Sequence, residues 1–109
     1  MNDPLEFLAR VSWSARHILL DVQMTGQPAQ HHERLWADVE AWAVGRPGPE
    51  ASDGVWLLVR GAPHCDLIPS AASGAVALTG ELRARGCREI SVGQLIAEAE
   101  RRTRELPLP

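Results

Sequence analysis

The stretch Val55-Trp56-Leu57-Leu58-Val59 decides the fold, because its five consecutive apolar residues lie between turn-forming residues on both sides. Gly54 precedes the run, and Gly61-Ala62-Pro63 follows it. A short, continuous apolar run of this kind is typical of a strand that is buried on both faces. We therefore predict a strand at residues 55–59 and place it at the centre of a sheet.

The residues after this strand predict further elements in alternation. Side chains of alternating character favour a second strand over residues 64–68. Apolar residues at helical spacing then predict a helix over residues 70–85, which Gly86 ends. Residues 88–90 are a short strand candidate. This strand, helix and strand order predicts a right-handed parallel crossover.

The last predicted element is a helix that begins at a capping box. Ser91 and Gln94 have the spacing at which each side chain caps the other residue's backbone N–H. Apolar residues at helical spacing continue to Leu106, and residues 106–109 form a tail.

The N-terminal residues carry two competing patterns. Asp3, Pro4 and Glu6 resemble a capped helix start, and the spacing of apolar residues predicts a helix from residue 4 to about residue 24. That spacing is carried by Leu5, Leu8, Ser12, Ala15, Leu19 and Val22. Residues 17–24 also alternate in character, which favours a strand instead. We prefer the helix.

A second helix is predicted from Pro28 to Gly45, after a turn at Gly26. Its apolar face comprises Leu35, Trp36, Val39, Trp42 and Ala43. Two helices joined by a short turn form an antiparallel hairpin. Residues 45–54 are rich in Gly and Pro and read as an exposed loop. The expected fold class is α+β, in which an N-terminal helical hairpin packs on a small βαβα unit with a three-stranded sheet, as a single domain over residues 1–109.

Composition excludes several functions. The chain has eleven arginines and no lysine, which excludes lysine-based covalent catalysis and suggests a GC-rich bacterial genome. The net charge is −3 and acids interleave with the arginines, so we expect no nucleic-acid partner. We also expect a cytoplasmic protein with no membrane contact, since no secretory signal or long apolar run is present. Cys65 and Cys87 are expected to be reduced thiols.

The stretch Ile18-Leu19-Leu20-Asp21-Val22-Gln23-Met24 resembles the phosphoacceptor strand of response-regulator receiver domains. Residues 83–90, followed by Leu95 and Ile96, are similar to the last strand and helix of that family. The family's chemistry also needs an acidic pair that holds magnesium and a lysine, and this chain has no lysine. The resemblance therefore implies no working receiver, and Asp21 is not expected to be a phosphorylation site.

The histidines raise the question of a metal site. In the predicted hairpin, Asp21 lies opposite His31, and His17 lies one helical turn from Asp21, so that His17, Asp21 and His31 or His32 converge. Such a site needs angles that spacing does not establish. We therefore predict no metal and no other cofactor, and we keep this cluster as an alternative.

Two further segments carry candidate chemistry. His64 and Cys65 follow the buried strand, where a thiol nucleophile is conceivable, but adjacent side chains of an extended chain point in opposite directions. Residues 70–74 open a helix, where free N–H groups could hold an anion, although ordinary capping by Ser70 is the simpler explanation. We therefore assign no catalytic residue.

Four tryptophans are the remaining unusual feature. Trp13 and Trp42 lie away from the centres of the predicted apolar faces, and exposed tryptophans are favoured at protein interfaces. We therefore predict a binding or adaptor protein that contacts a protein partner, or a second copy of itself as a homodimer, through Trp13 and Trp42. The alternative is a small-molecule enzyme or metal-dependent binder that uses the His, Asp and Cys residues near the sheet.

Overall fold

Six strands, a 3₁₀ turn and two helices make up the part of the chain that the structure, a computed structural model, describes: residues 7–24, 26–49, 53–62 and 65–105. The strands are β1 (Phe7–Trp13), β2 (His17–Met24), β3 (Gln30–Leu35), β4 (Val39–Gly45), β5 (Gly54–Val59) and β6 (Asp66–Pro69). The 3₁₀ turn (Trp36–Asp38) connects β3 to β4. The helices are α1 (Ala75–Ala84) and α2 (Val92–Arg104).

The strands form two antiparallel sheets of three strands each. Sheet A has the order β1-β2-β3, and sheet B has the order β4-β5-β6. The prediction of an N-terminal helical hairpin is therefore wrong, because residues 7–45 form four strands and one 3₁₀ turn. The predicted helix start at residues 3–6 lies outside the described residues.

Alternation explains why residues 7–24 form strands. Successive side chains of a strand point to opposite faces. Ala9, Val11 and Trp13 of β1 lie opposite Val22, Leu20 and Ile18 of β2, on the face that turns to the core. The predicted helix included Leu8 among its apolar residues, but Leu8 lies on the outer face of sheet A and is 63% exposed. The competing prediction of a strand over residues 17–24 is confirmed, with the same bounds.

Burial on both faces explains why the apolar pattern of residues 39–45 resembles that of a helix. Trp42 points into the core, whereas its neighbours Ala41 and Ala43 are buried on the opposite face, against which α2 packs. A strand that is covered on both faces has no polar positions in its centre, so apolar residues occur at helical spacings by coincidence. The strand ends at Gly45, where the helix was expected to end.

β5 confirms the prediction for residues 55–59, since it is the central strand of sheet B and is buried along most of its length. The predicted βαβα unit is wrong. β6, the next strand along the chain, is the antiparallel neighbour of β5, and residues 88–90 contribute only an isolated bridge to the far edge of β4.

Both C-terminal helices are confirmed, with one shift of boundary. α1 begins at Ala75 because residues 70–74 form turns and a bridge to sheet A, and it ends before Gly86. α2 begins at the predicted capping box, in which Ser91 and Gln94 each accept a hydrogen bond from the other's backbone N–H.

α1 closes one side of the space between the sheets. It packs against β1 and β5, and the segments at its two ends bond to one sheet each. Ser73 forms a parallel bridge with Arg10 of β1, and Glu89 forms one with Trp42 of β4. The core lies between the sheets and α1 and contains Val11, Ile18, Trp36, Trp42, Val55, Leu57, Val59, Ile68, Ala72, Ala75, Leu78 and Leu82.

Candidate functional site

A cleft of about 320 Å³ opens between the two sheets on the side away from the bridges of α1. Its walls come from the edge strands β3 and β6 and from the central strands β2 and β5. It is lined by Ile18, Leu20, His32, Arg34, Leu57, Asp66, Leu67 and Ile68. Ligand sites are commonly concave, mostly apolar and equipped with a few convergent polar groups, and this cleft has that composition.

The strand pattern places the polar groups of the cleft. In β3, His32 lies opposite Leu20 and Arg34 lies opposite Ile18, so both polar residues share the inner face of sheet A with apolar neighbours. Asp66 begins β6 opposite Leu57. Ile18 and Leu57 are almost fully buried, whereas the side chains of β3 are mostly exposed. The floor of the cleft is therefore apolar and its rim is polar.

An ion pair joins the two sheets across this rim. Arg34 donates from Nε and Nη2 to the two carboxylate oxygens of Asp66, at 2.5 and 3.1 Å, and from Nη1 to the carbonyl oxygen of Glu33 at 3.0 Å. This two-point geometry is the strong form of an arginine–carboxylate contact. Hydrogen bonding to Asp66 raises the pKa of the Arg34 guanidinium, against a smaller opposing effect of burial. The side chains remain 42% and 26% exposed, respectively, so the pair is open to solvent.

A second depression of about 360 Å³ lies on the other side of the same ion pair. Arg34 and Asp66 line both spaces, and the second one adds Glu33, Asp38 and His17. The ion pair thus separates a mainly apolar cleft from a strongly acidic depression.

The proposed metal cluster does not converge. Asp21 does lie opposite His31, as expected, but as a cross-strand pair of β2 and β3. His17 lies four residues from Asp21 along an extended strand, about 13 Å away, and His32 faces the opposite side of the sheet from His31. Among the described residues, no three His, Cys, Asp or Glu side chains are arranged to hold a metal ion.

His31 is instead held between two carboxylates on the outer face of sheet A. Its Nδ1 lies 2.6 Å from an oxygen of Asp21, and its Nε2 lies 3.1 Å from an oxygen of Glu33. The hydrogen bond to Asp21, followed by the bond to Glu33, raises the pKa of His31. Because both ring nitrogens are engaged, this imidazole is a hydrogen-bonded surface group.

The two thiols are poor candidates for nucleophiles. Cys65 and Cys87 are both free and partly buried. Burial raises the pKa of each thiol, and the nearby arginines Arg102 and Arg85 only partly oppose this effect. Less thiolate is therefore present near neutral pH than for an exposed cysteine. His64, the expected neighbour of Cys65, lies outside the described residues.

The anion site proposed at residues 70–74 is obstructed by the fold. The residue that caps α1 is Gly74, with φ at +90°, and no side chain caps the helix. A Cβ atom at Gly74 would lie 2.3 Å from the carbonyl oxygen of Val11, so the backbone of β1 already occupies this end of the helix. Ser70 is not the capping residue.

The structure places Trp42 in the core and Trp13 next to it. Trp42 is fully buried, and its indole N–H donates to the carbonyl oxygen of Cys87 at 3.0 Å. It therefore offers no exposed area in this fold, because the alternation of β4 turns it inward. Trp13 is half-buried and packs against the core from β1.

Arg34 and Asp66 were missed by the sequence analysis. The residues lie 32 positions apart, and no local spacing links them. Residues 30–34 are all polar and do not alternate in character, so only their pairing with β2 places His32 and Arg34 on the inner face.

Comparison with known proteins adds no function. No protein-family model matches the sequence, and no curated protein or solved structure matches it either. Neither helix of the described residues has the length and apolar character needed to cross a membrane.

Proposed function

We propose that this protein works by binding, and that the cleft between its sheets holds a small, mostly apolar molecule. The observation that carries the proposal is the cleft itself, whose volume of about 320 Å³ and mixed lining match those of ligand sites. Burial of apolar surface would supply the affinity, and the polar rim would fix the orientation of the ligand.

The polar groups of the cleft support binding over catalysis. Both oxygens of the Asp66 carboxylate accept from Arg34, so Asp66 is not free to act as a general base, and a guanidinium stays protonated. Among the described residues that line the cleft, His32 is the other titratable one, and none is a Ser, Thr or Cys that could act as its nucleophile.

Filling the cleft tests the proposal. Leu20→Phe places a larger side chain on the cleft side of β2, and Leu19→Phe is a matched control because the adjacent residue faces the other side of the sheet. We expect small apolar compounds to raise the melting temperature of the wild type and of Leu19→Phe, and to lose this effect on Leu20→Phe. Compounds that act equally on all three proteins would contradict the proposal.

Self-association is a second proposal. The sequence analysis expected a homodimer through Trp13 and Trp42, and we now propose the outer face of sheet A as the contact surface. The outer face of sheet A carries the exposed side chains Leu8 and Leu35, which are 63% and 42% exposed. It also carries Arg10 beside the acidic Asp21, so a second copy would find charges of both signs. Sedimentation of Leu8→Ser/Leu35→Ser should show loss of any dimer that the wild type forms. A dimer of unchanged strength would exclude this face.

A cytoplasmic location remains a prediction from the sequence.

A further inference from the structure

The cleft contains two nitrogen donors on one strand face, which bears on what its ligand is; this inference rests on the binding function proposed above. His32 and Arg34 are two residues apart in β3 and both line the cleft. Residues with that separation in a strand share a face at a spacing of about 7 Å. A single small acceptor group can therefore contact both side chains.

Arg34 has N–H donors that the described residues do not use. A guanidinium has five N–H bonds. Asp66 and the carbonyl oxygen of Glu33 take three of them, and the other two have no protein acceptor within the described part of the chain. His32 has an N–H donor in either protonation state. The rim thus offers hydrogen-bond donors, whereas both oxygens of its carboxylate already accept from Arg34.

The charge at the rim of the cleft also favours a ligand with a hydrogen-bond acceptor of negative charge. Among the described residues, the rim of the cleft has one negative group, Asp66, against the permanent charge of Arg34 and the imidazole of His32. It is therefore neutral or positive, although the whole chain has a net charge of −3. Glu33 and Asp38, which would attract a cation, line the depression on the other side of the ion pair.

We propose that the cleft takes an amphipathic monocarboxylate, a molecule with one carboxylate and a hydrocarbon body. The carboxylate accepts hydrogen bonds from Arg34 and His32, and the hydrocarbon packs on Leu20, Leu57 and Ile68. Asp66 is a positioning residue, because its two-point contact fixes the plane of the guanidinium and leaves the unused N–H bonds for the ligand.

A set of three compounds with one hydrocarbon chain tests this class: octanoate, 1-octanol and octylammonium. Each is titrated into isotopically labelled protein while the backbone amide signals are followed by NMR. We expect saturable shifts of residues in β2, β3 and β6, with octanoate binding at least tenfold more tightly than either other compound.

Two variants and a control identify the groups that hold the carboxylate. Arg34→Gln and His32→Leu should each weaken octanoate binding, Arg34→Gln by about tenfold or more, and should not weaken 1-octanol binding. Arg88→Gln is the control, since Arg88 is an exposed arginine outside the cleft. His32→Leu removes the imidazole N–H, keeps the ion pair of Arg34 with Asp66, and so tests the proposal even if Arg34→Gln is unstable.

The outcomes separate the two proposals. Equal binding of octanoate and 1-octanol in the cleft, or octanoate binding that both variants leave unchanged, overturns the carboxylate class and leaves a binding cleft. Preference for octylammonium overturns the charge argument. If none of the three compounds shifts a cleft residue and the screen with Leu20→Phe is also negative, the cleft has no binding function and both proposals fall.

Discussion

Sheet A and sheet B have the same number of strands and the same antiparallel order, but they differ in how many faces are covered. Sheet B has α1 and sheet A on one side and α2 on the other, so its central strand β5 is apolar almost throughout. Sheet A faces the core on one side, and its other face carries polar and charged residues such as Arg10, Asp21 and His31. The number of covered faces thus explains why sheet B is apolar on both faces and sheet A on one face only.

The largest expected difference between the sheets comes from removing one core side chain. Trp42→Ala should lower the free energy of unfolding by about 3–5 kcal/mol, because it leaves a cavity at a fully buried position. Leu8→Ala removes an apolar side chain from the exposed face of sheet A and should change stability by no more than about 0.5 kcal/mol. Urea unfolding of both variants measures the difference. Similar losses would show that both faces of sheet A are covered in solution.

Arg102 attaches helix α2, the second cover of sheet B, to the strands beneath it. Arg102 of α2 donates to the carbonyl oxygens of Val59 and Ala62, at 2.8 and 3.2 Å, and pairs with Glu40 of β4. Arg102→Met keeps most of the apolar stem and should cost about 1–3 kcal/mol, since it leaves partly buried acceptors without a donor.

Arg101→Met is the matched control for this variant. Arg101 pairs with Glu98 and Glu105 of its own helical segment and its side chain is half exposed. Thermal melts should show a clear loss for Arg102→Met and little change for Arg101→Met. A similar loss for both would mean that α2 needs its internal ion pairs more than its attachment to sheet B.

Hydrogen exchange should rank the strands without any substitution. Amides of β5, which has a neighbouring strand on both sides and cover on both faces, should exchange only through global unfolding. Amides of β3, an edge strand with mostly exposed side chains, should exchange faster, through local opening. Equal protection of β3 and β5 would indicate that the two sheets open as one unit.

The smallest expected effect concerns His31 on the open face of sheet A. Its pKa is raised in the folded protein, chiefly by Asp21 and then by Glu33. A raised folded pKa stabilises the fold at pH values below the unfolded pKa, and this contribution is lost as the pH rises through the folded pKa.

An NMR titration of His31 measures this shift directly. Asp21→Asn should lower the pKa of His31 more than Glu33→Gln does, because the bond to Asp21 is the larger cause. An unchanged pKa in both variants would show that the two hydrogen bonds do not persist in solution.

The sequence predicted the strand that is buried on both faces and the helix that begins at a capping box. It did not predict segments whose apolar residues fit both the helical and the strand period. Residues 55–59 are apolar enough to indicate a central strand, and Ser91 with Gln94 needs only local spacing. Residues 17–24 satisfy both periods, and only pairing with β1 and β3 decides between them. The pairing of Asp21 with His31 was predicted from a helical hairpin but occurs in a β-hairpin. A turn near Gly26 places these two residues opposite each other in both kinds of hairpin. Arg34 and Asp66 meet only when the two sheets are assembled, so no local pattern reveals the cleft.

The bridges at the two ends of α1 have a consequence for the order in which the chain folds. Each sheet contains hairpins whose strands are close in sequence, and such contacts form early. The bridges of Ser73 with β1 and of Glu89 with β4 join residues that are far apart in the sequence, and such contacts are slow to form. During synthesis, both hairpin sheets emerge before α1, and Val11 and Leu57 then have no helix to cover them. Until the C-terminal third of the chain is present, part of the apolar inner surface of both sheets therefore stays uncovered, and uncovered apolar surface favours aggregation of nascent chains.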